Sequence, residues 1–167
     1  IGNEARPMAN KIIEVGLAPV EEYYGSEVML HYPGLYAGST DLICLHNSKE
    51  TVVDFKQSNR PKKEEWIEDY YLQISAYAMA HDYVYGSKIE QGVIMVCTPD
   101  LYYQEFKVEG LQLRKYKHKF LKRLDMYNEL IHDEKERAKV DPSTLLKEFE
   151  RDTQNDPFKG TNMEGKD

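Results

Sequence analysis

Apolar and polar residues follow two periods along the chain, and these periods divide it into helices and strands. Short runs that alternate or stay apolar predict strands at 27–32, 36–45, 51–57, 89–98 and 102–108. Apolar residues that recur every three or four positions predict helices at 4–24, with an interruption around Gly16 and Pro19, at 64–85 and at 110–138. A short last helix is predicted to begin at Asp141-Pro142, with Asp141 as its cap and Pro142 in its first turn.

The order of these elements predicts an α/β domain. The polar loop 46–50 has hairpin length, so the strands on either side of it should be antiparallel. The helix at 64–85 can cross over between the third and fourth strands, which lets those two run parallel. We therefore expect a central mixed β-sheet of about five strands flanked by helices. It should form a single domain over 1–151, followed by a polar, disordered tail over 152–167.

Composition is typical of a soluble globular protein. The chain has 167 residues, of which 41% are hydrophobic and 31% charged. No run approaches the roughly 20 apolar residues that span a bilayer, so no membrane partner is expected. The net charge of −7 argues weakly against a nucleic-acid partner.

The distribution of charge changes that picture, because six bases lie close together on the last predicted helix. They are Arg114, Lys115, Lys117, Lys119, Lys122 and Arg123. A basic stripe of this kind suits contact with a phosphate backbone. The alternative is an ordinary solvated helix face.

The chain has two cysteines, Cys44 and Cys97, and both lie in apolar strand-like runs. They lack the spacing of a zinc site, and an iron–sulfur cluster takes about four cysteine ligands. We interpret them as small buried side chains of a protein in a reducing compartment, and no iron–sulfur cluster is expected.

Two acids and a lysine lie on two neighbouring predicted strands. If the hairpin loop centres near Ser48, Asp41 lies opposite Asp54 or within one residue of it, on the same sheet face. Lys56 shares that face, because side chains alternate along a strand. Paired carboxylates repel each other unless a cation lies between them or one is protonated. Their oxygens favour Mg²⁺ or Mn²⁺, which would activate water against a phosphodiester. The alternative is a salt bridge on a solvated sheet face.

Three motifs then follow one another in order. They are Gly38-Ser39-Thr40-Asp41, Val53-Asp54-Phe55-Lys56 and Gln73-Ile74-Ser75-Ala76-Tyr77-Ala78. Together they resemble the PD-(D/E)XK nucleases, and specifically the RecB-like exonuclease branch, over about residues 27–98. The resemblance implies a restriction-endonuclease-like core. In scale the chain is similar to compact phage and mitochondrial single-strand exonucleases.

The resemblance also implies roles for individual residues. Asp41, Asp54 and the Phe55 carbonyl would ligate the metal, and Lys56 would be the catalytic lysine. Gln73 and Tyr77 would support the site and the DNA strand, and Glu27 would be an outer or second-metal acid. Members often carry a metal-binding histidine on the first helix, but no histidine precedes His31. A helix with such a histidine would have to precede Ile1, and the sequence leaves open whether it does.

The predicted loop after the third strand carries a second group of candidate DNA contacts. They are Arg60, Lys62, Lys63 and Trp66, to be added to Arg114, Lys115, Lys117 and Lys119 of the last helix. Such a loop can arch over a substrate, with Trp66 stacking on a base. The alternative is an ordinary connection whose tryptophan closes the core.

The sequence therefore predicts a Mg²⁺- or Mn²⁺-dependent DNA exonuclease that prefers single strands or free ends. A structure-specific endonuclease on the same fold is one alternative, and a non-catalytic nucleic-acid-binding module is another. We expect an intracellular, reducing location, in a bacterial or phage-infected cytoplasm or in a mitochondrion.

Overall fold

The protein is described from a computed structural model, which covers the backbone of residues 5–138 and the side chains through Asp133. The chain divides into two compact units, Ile1–Leu124 and Asp125–Asp167. In the second unit only the helical stretch 125–138 is described. The helix predicted at Asp141-Pro142 and the polar tail predicted at 152–167 lie outside the described residues.

The first unit is built on one five-stranded sheet. Its strands are β1 (Val20–Tyr32), β2 (Tyr36–His46), β3 (Lys49–Gln57), β4 (Gln91–Cys97) and β5 (Tyr103–Glu109). They lie in the order β1-β2-β3-β4-β5. Strands β3 and β4 run parallel and the other neighbours are antiparallel. The predicted fold class, a mixed five-stranded sheet flanked by helices, is confirmed.

Three helices accompany the sheet. Helix α1 (Ala5–Lys11) continues into a π-helical turn (Ile12–Gly16), and α3 spans Gly110–Ala138. Helix α2 (Glu68–Tyr85) is the predicted crossover between β3 and β4 and follows a 3₁₀ turn at Glu64–Trp66. It ends at Gly86, whose φ of 64° is the left-handed conformation that glycine adopts without strain. None of the described helices is both long and apolar enough to cross a membrane.

The helix predicted over 4–24 ends at Gly16, where an interruption was expected, but the prediction of helix beyond it is wrong because β1 begins at Val20. A Cβ on Gly16 would lie 2.6 Å from both the Met95 sulfur and the Tyr103 hydroxyl, so a larger residue there would require these side chains to move. The acidic stretch after Pro19 pairs with β2 in antiparallel fashion, so that Val20 lies opposite His46 and Gly25 opposite Ile43. The register between Val20 and Gly25 is irregular. Pairing with a strand distant in sequence overrides the local helical preference.

The core has two layers, one on each face of the sheet. On one face Tyr71, Ile74 and Ala78 of α2 pack against the sheet with Val52 and Ile94. On the other face α1 and its π-helical turn cover a second cluster, consisting of Met8, Ile12, Leu42, Cys44, Val53, Val93, Met95 and Cys97. Both cysteines are buried, as predicted. Burying each large apolar side chain contributes about 1.5–3 kcal/mol to the stability of the fold, so packing on both faces stabilises the sheet.

Candidate active site

Strands β2 and β3 part at the candidate site. Their pairing ends at Leu42 and Val53, so Asp41 and Asp54 follow in the next row, in the predicted register. Two side chains replace main-chain bonds there. The Thr40 hydroxyl donates to the Val53 carbonyl over 3.1 Å, and the Phe55 amide donates to Asp41 Oδ2 over 2.6 Å. The site therefore begins where the sheet ladder ends, with the Asp41 carboxylate held by the backbone of β3.

Gly38 connects the first motif to helix α2. A Cβ at this position would lie 2.6 Å from Cε1 of the Tyr77 ring, closer than real contacts allow. The absent side chain therefore lets the ring lie against β2. The glycine of the first motif and the tyrosine of the third are thus two sides of one contact.

Lys56 connects the acids to α2. Its Nζ lies 2.7 Å from Asp54 Oδ2 and donates to Gln73 Oε1 over 3.3 Å. Gln73 Nε2 in turn donates to the Tyr77 hydroxyl over 3.0 Å. Residues four apart lie on one helix face, which is why this glutamine and this tyrosine meet. A continuous chain of polar contacts runs from Asp54 through Lys56 and Gln73 to Tyr77.

Burial controls the protonation of this chain. Burial, followed by a hydrogen bond with Asp41, raises the pKa of Asp54 to about 6, although Lys56 lowers it. Burial alone would lower the pKa of Lys56, but the hydrogen bond and charge of Asp54 outweigh it, and the net pKa is raised. Burial also raises the pKa of Tyr77. At neutral pH Lys56 is therefore an ammonium ion and Tyr77 a neutral phenol.

The donor set fits a hard divalent cation. Asp41 contributes to the raised pKa of Asp54, and a positive ion beside Asp54 would favour its ionised form. Mg²⁺ commonly takes one or two carboxylates and completes its shell with water and phosphate. Among the described residues no three His, Cys, Asp or Glu side chains converge on one point.

Glu27 is exposed and has a φ of 51°. Its neighbours Ser26 and Val28 pair with Leu42 and Thr40 of β2. It lies across from Asp41 in sequence register, and its role as an outer acid stays a prediction.

Two contributors to the site were not predicted. Thr40 lies within the first motif but alternates away from Asp41, so its bond to β3 has no sequence signal. Tyr70 lies with its ring centroid 5.0 Å from Lys56 Nζ, a cation–π distance. Its position three residues before Gln73 puts it on the same helix face, and that spacing is the signal that could have identified it.

The predicted loop contacts lie beside the site on an anchored connection. The Lys62 amide donates to Gln104 Oε1 over 2.7 Å, and Gln104 Nε2 donates back to the Lys62 carbonyl over 2.9 Å. Trp66 is 61% exposed, so the alternative in which it closes the core is wrong. Lys63 Nζ lies 5.1 Å from the Trp66 ring centroid, and Arg60 is exposed.

The predicted basic stripe on α3 is partly engaged by acids of α2. Three ion pairs make up what we term the α2–α3 seam: Lys117 with Asp82, Lys119 with Glu68 and Arg123 with Asp69. Arg114 and Lys115 are exposed beside them. The seam explains part of this charge by helix packing, and contact between these bases and DNA stays a prediction.

No family model matches this sequence, and no curated protein matches it. Among solved structures, the chain is similar to a candidate exonuclease from Eubacterium rectale, with a TM-score of 0.51 and 14% identity over 74% of this chain and 49% of that one. This chain thus spans about half the length of that protein. It is also similar to an alkaline exonuclease from Laribacter hongkongensis, with a TM-score of 0.38 and 14% identity over 81% of this chain and 71% of that one. The first likeness shows that the fold is shared.

Proposed function

We propose that this protein is a metal-dependent nuclease that hydrolyses phosphodiester bonds in DNA. The observation that carries the proposal is the contact of Asp41, Asp54 and Lys56 where β2 and β3 part, with Lys56 bonded to Gln73 of α2. A buried carboxylate next to a second acid and a lysine is costly as structure alone, because burial and a neighbouring carboxylate both oppose its ionisation. A bound cation would offset that cost, because it stabilises the ionised form of both acids.

The proposed ligands of Mg²⁺ or Mn²⁺ are Asp41, Asp54 and the Phe55 carbonyl. When bound, such an ion supplies an activated water and a Lewis acid for the phosphoryl oxygen. Asp41 is already oriented by its bond to the Phe55 amide. Asp54 is held by Lys56. Both carboxylates would contribute oxygens to the ion.

Lys56 is proposed to bind the scissile phosphate as an ammonium ion and to stabilise the charge that develops on it. Its raised pKa makes it a poor base at neutral pH. Gln73 holds the ammonium group through its amide oxygen, and Tyr77 fixes the orientation of that amide. This assignment separates the roles of the residues: the acids hold the cation, and the lysine meets the substrate.

We propose an exonuclease that acts on single strands or free ends. The first structural neighbour is named as a candidate exonuclease, and this supports the exonuclease proposal. The motif resemblance supports it as well. Arg60, Lys62, Lys63 and Trp66 are proposed to guide the strand past the site, and Arg114, Lys115, Lys117 and Lys119 to add phosphate contacts. The free buried thiols fit a reducing compartment, where we place the activity.

End-labelled digestion tests the proposal. Wild-type protein, Lys56→Ala and Lys107→Ala are incubated with Mg²⁺ or Mn²⁺ and single-stranded oligonucleotides labelled at the 5′ or the 3′ end. Lys107 is the matched control, because it too pairs with an acid two residues away on its own strand, Glu105 at 3.2 Å. We expect metal-dependent shortening by wild type and Lys107→Ala, and none by Lys56→Ala. Equal digestion by all three would sink the proposal.

Closed circular single-stranded DNA then separates the two nuclease classes. An enzyme that needs an end leaves the circle intact, whereas an endonuclease linearises it. Tight DNA binding without any cleavage would favour a non-catalytic binding module.

A further inference from the structure

The loop that follows β3 is bonded to β5, two strands away in the sheet. It spans residues 58–63, and we term it the basic loop because it contains Arg60, Lys62 and Lys63 and no acid. Gln104 of β5 accepts a hydrogen bond from the Lys62 amide over 2.7 Å and donates one to the Lys62 carbonyl over 2.9 Å. One glutamine can satisfy both main-chain groups of a residue, because its amide carries a donor and an acceptor. These two bonds, which we term the Gln104 clamp, fix the backbone of the loop.

The register of the sheet places the Gln104 clamp on the same face as the proposed catalytic lysine. Lys56 pairs with Val96, and Val96 pairs with Gln104, so the three residues form one row across β3, β4 and β5. Residues of one row share a sheet face, and strands lie about 4.8 Å apart, so about 10 Å separates the backbones of Lys56 and Gln104. Phe106, two residues after Gln104, packs against the core cluster beneath α2, in agreement with this face. The basic loop therefore crosses the sheet beside the candidate site.

The start of the basic loop is fixed as well. The Ser58 amide donates to the Cys97 carbonyl over 3.3 Å, and the Ser58 hydroxyl donates to the Arg60 carbonyl over 2.6 Å. Pro61 has a restricted φ and also restricts the backbone of the residue before it. The loop thus has few backbone conformations to lose when a ligand binds, and such preorganisation favours affinity.

The charges of the basic loop are less engaged than those of the α2–α3 seam. In the part of the chain that the structure describes, neither Arg60 nor Lys62 forms an ion pair, and Lys63 lies 3.9 Å from the exposed Glu65. Each base of the seam, by contrast, has an acid of α2 within ion-pair distance. Two bases without an acidic partner beside the proposed site favour an anionic ligand, and the phosphates of a nucleic-acid strand have that charge.

We propose that Gln104 is a positioning residue, which holds the basic loop so that Arg60 and Lys62 contact phosphates next to the one that is cut. The inference rests on the proposed nuclease function and deepens it. Gln104 acts through the loop and does not touch the substrate. Loss of the clamp should therefore weaken binding of the strand and leave the chemistry at Lys56 intact.

The substitution Gln104→Met removes both bonds to Lys62 and keeps a side chain of similar length. Gln57→Met is the matched control, because it makes the same change at an exposed position at the end of β3, where the side chain alternates away from that of Lys56. Circular dichroism and urea denaturation verify that both variants fold. Trypsin tests the clamp directly, because it cuts after Lys62 and Lys63. We expect faster cleavage there in Gln104→Met than in wild type or Gln57→Met.

Binding of a labelled single-stranded oligonucleotide is then measured by fluorescence anisotropy in EDTA, without catalysis. For Gln104→Met we expect the apparent Kd to rise about 10-fold, and for Gln57→Met to stay at the wild-type value. The slope of log Kd against log salt should fall by about 1.4, since each lost single-strand phosphate contact removes about 0.7. In an Arg60→Ala/Lys62→Ala background, Gln104→Met should change Kd less than about twofold.

Digestion of the same oligonucleotide with Mn²⁺ completes the comparison. Gln104→Met should raise KM about 10-fold and change kcat less than about twofold, as expected for loss of uniform binding. Unchanged Kd and KM would show that the clamp is only structural and would overturn the proposal, as would tryptic cleavage that is no faster than in wild type. An equal rise of Kd in the Arg60→Ala/Lys62→Ala background would also overturn it, because Gln104 would then act through a general defect and not through these bases.

The two proposals fail separately in these measurements. Gln104-dependent binding without any cleavage by wild type would keep the positioning role and overturn the nuclease. Metal-dependent cleavage with a KM that is insensitive to Gln104→Met would keep the nuclease and overturn the positioning role.

Discussion

The ion pair of the site, on β3, and the ion pairs of the α2–α3 seam differ in how exposed they are to solvent. At the site Lys56 lies 2.7 Å from Asp54, with side chains 26% and 10% exposed. On the α2–α3 seam Arg123 lies 2.8 Å from Asp69, with side chains 55% and 80% exposed. The distances are nearly equal, so geometry alone does not distinguish them.

The difference lies in solvation. An exposed pair is screened by water and contributes about 0–1 kcal/mol, whichever way it is oriented. A buried carboxylate loses its hydration, and the attraction of one lysine offsets that loss only in part, which is why the pKa of Asp54 is raised despite Lys56. The comparison teaches that the fold accepts an electrostatic cost at the site and none at the exposed Arg123–Asp69 pair of the seam. We therefore expect the pair at the site, rather than the exposed pair, to take part in function.

The same substitution in the two regions gives the largest expected contrast. Asp54→Asn removes a proposed metal ligand while keeping its shape, and we expect it to lower kcat/KM by about 1000-fold or more, a typical scale for loss of a group that stabilises charge in the transition state. Asp69→Asn removes an exposed acid of the seam and should change kcat/KM less than about twofold. The measurement is single-strand digestion at saturating Mn²⁺. Comparable losses in both variants would remove the functional distinction between the regions.

Packing around the site gives the next effect. Gly38→Ala would drive a methyl group into the Tyr77 ring, so either the ring or β2 must shift. We expect a loss of about 1–3 kcal/mol in the free energy of unfolding, as for other overpacked positions. Urea denaturation measures it, and the Tyr77→Ala background is the control. There the added methyl group has room, and the cost of Gly38→Ala should fall below about 1 kcal/mol. An equal cost in both backgrounds would show that Tyr77 is not what requires glycine.

The raised pKa of Asp54 predicts that the stability of the metal-free protein depends on pH. The pKa of Asp54 is about 6 when folded and 3.8 ordinarily, so the folded state binds more protons between these values. Stability in EDTA should therefore fall as pH rises through about 4–6, by about 3 kcal/mol, and stay lower above that window. Asp54→Asn should remove this fall and be the more stable protein at pH 8.

Thermal or urea unfolding at several pH values makes this measurement, with Asp69→Asn as control. The control should keep the wild-type pH dependence, since it leaves Asp54 in place. Adding Mn²⁺ at pH 8 should stabilise wild type and not Asp54→Asn, because only the former offers both carboxylates. A wild-type profile that is flat between pH 4 and 6 would contradict the assigned cost.

Motifs along the chain predicted which residues meet at the centre of the candidate site, because those contacts follow local rules. A hairpin of known loop length sets the Asp41–Asp54 register, and helical spacing sets Gln73 against Tyr77. The crossover helix likewise predicted the parallel β3–β4 pair. Each of these follows from neighbours in sequence or from one short connection.

The parts that were missed depend on contacts between distant segments. The start of β1 at Val20 is decided by pairing with His46, and the restriction at Gly16 comes from Met95 and Tyr103. The acids that engage the bases of α3 lie on α2, about fifty residues earlier. Sequence shows a run of bases, but not which of them already have partners, and so the α2–α3 seam could not be separated from a surface for phosphate.

The seam itself should give the smallest effect. In a double-mutant cycle of Asp69→Ala and Arg123→Ala, we expect a coupling free energy of less than about 1 kcal/mol in the free energy of unfolding. Both side chains are more than half exposed, so added salt should reduce the coupling further as the Debye length falls from about 10 Å at 0.1 M to about 3 Å at 1 M. Urea denaturation at these two salt concentrations measures both quantities. A coupling above about 2 kcal/mol that persists at 1 M salt would mean that the seam is as desolvated as the site, and burial could then no longer be used to tell the proposed catalytic pair from a structural one.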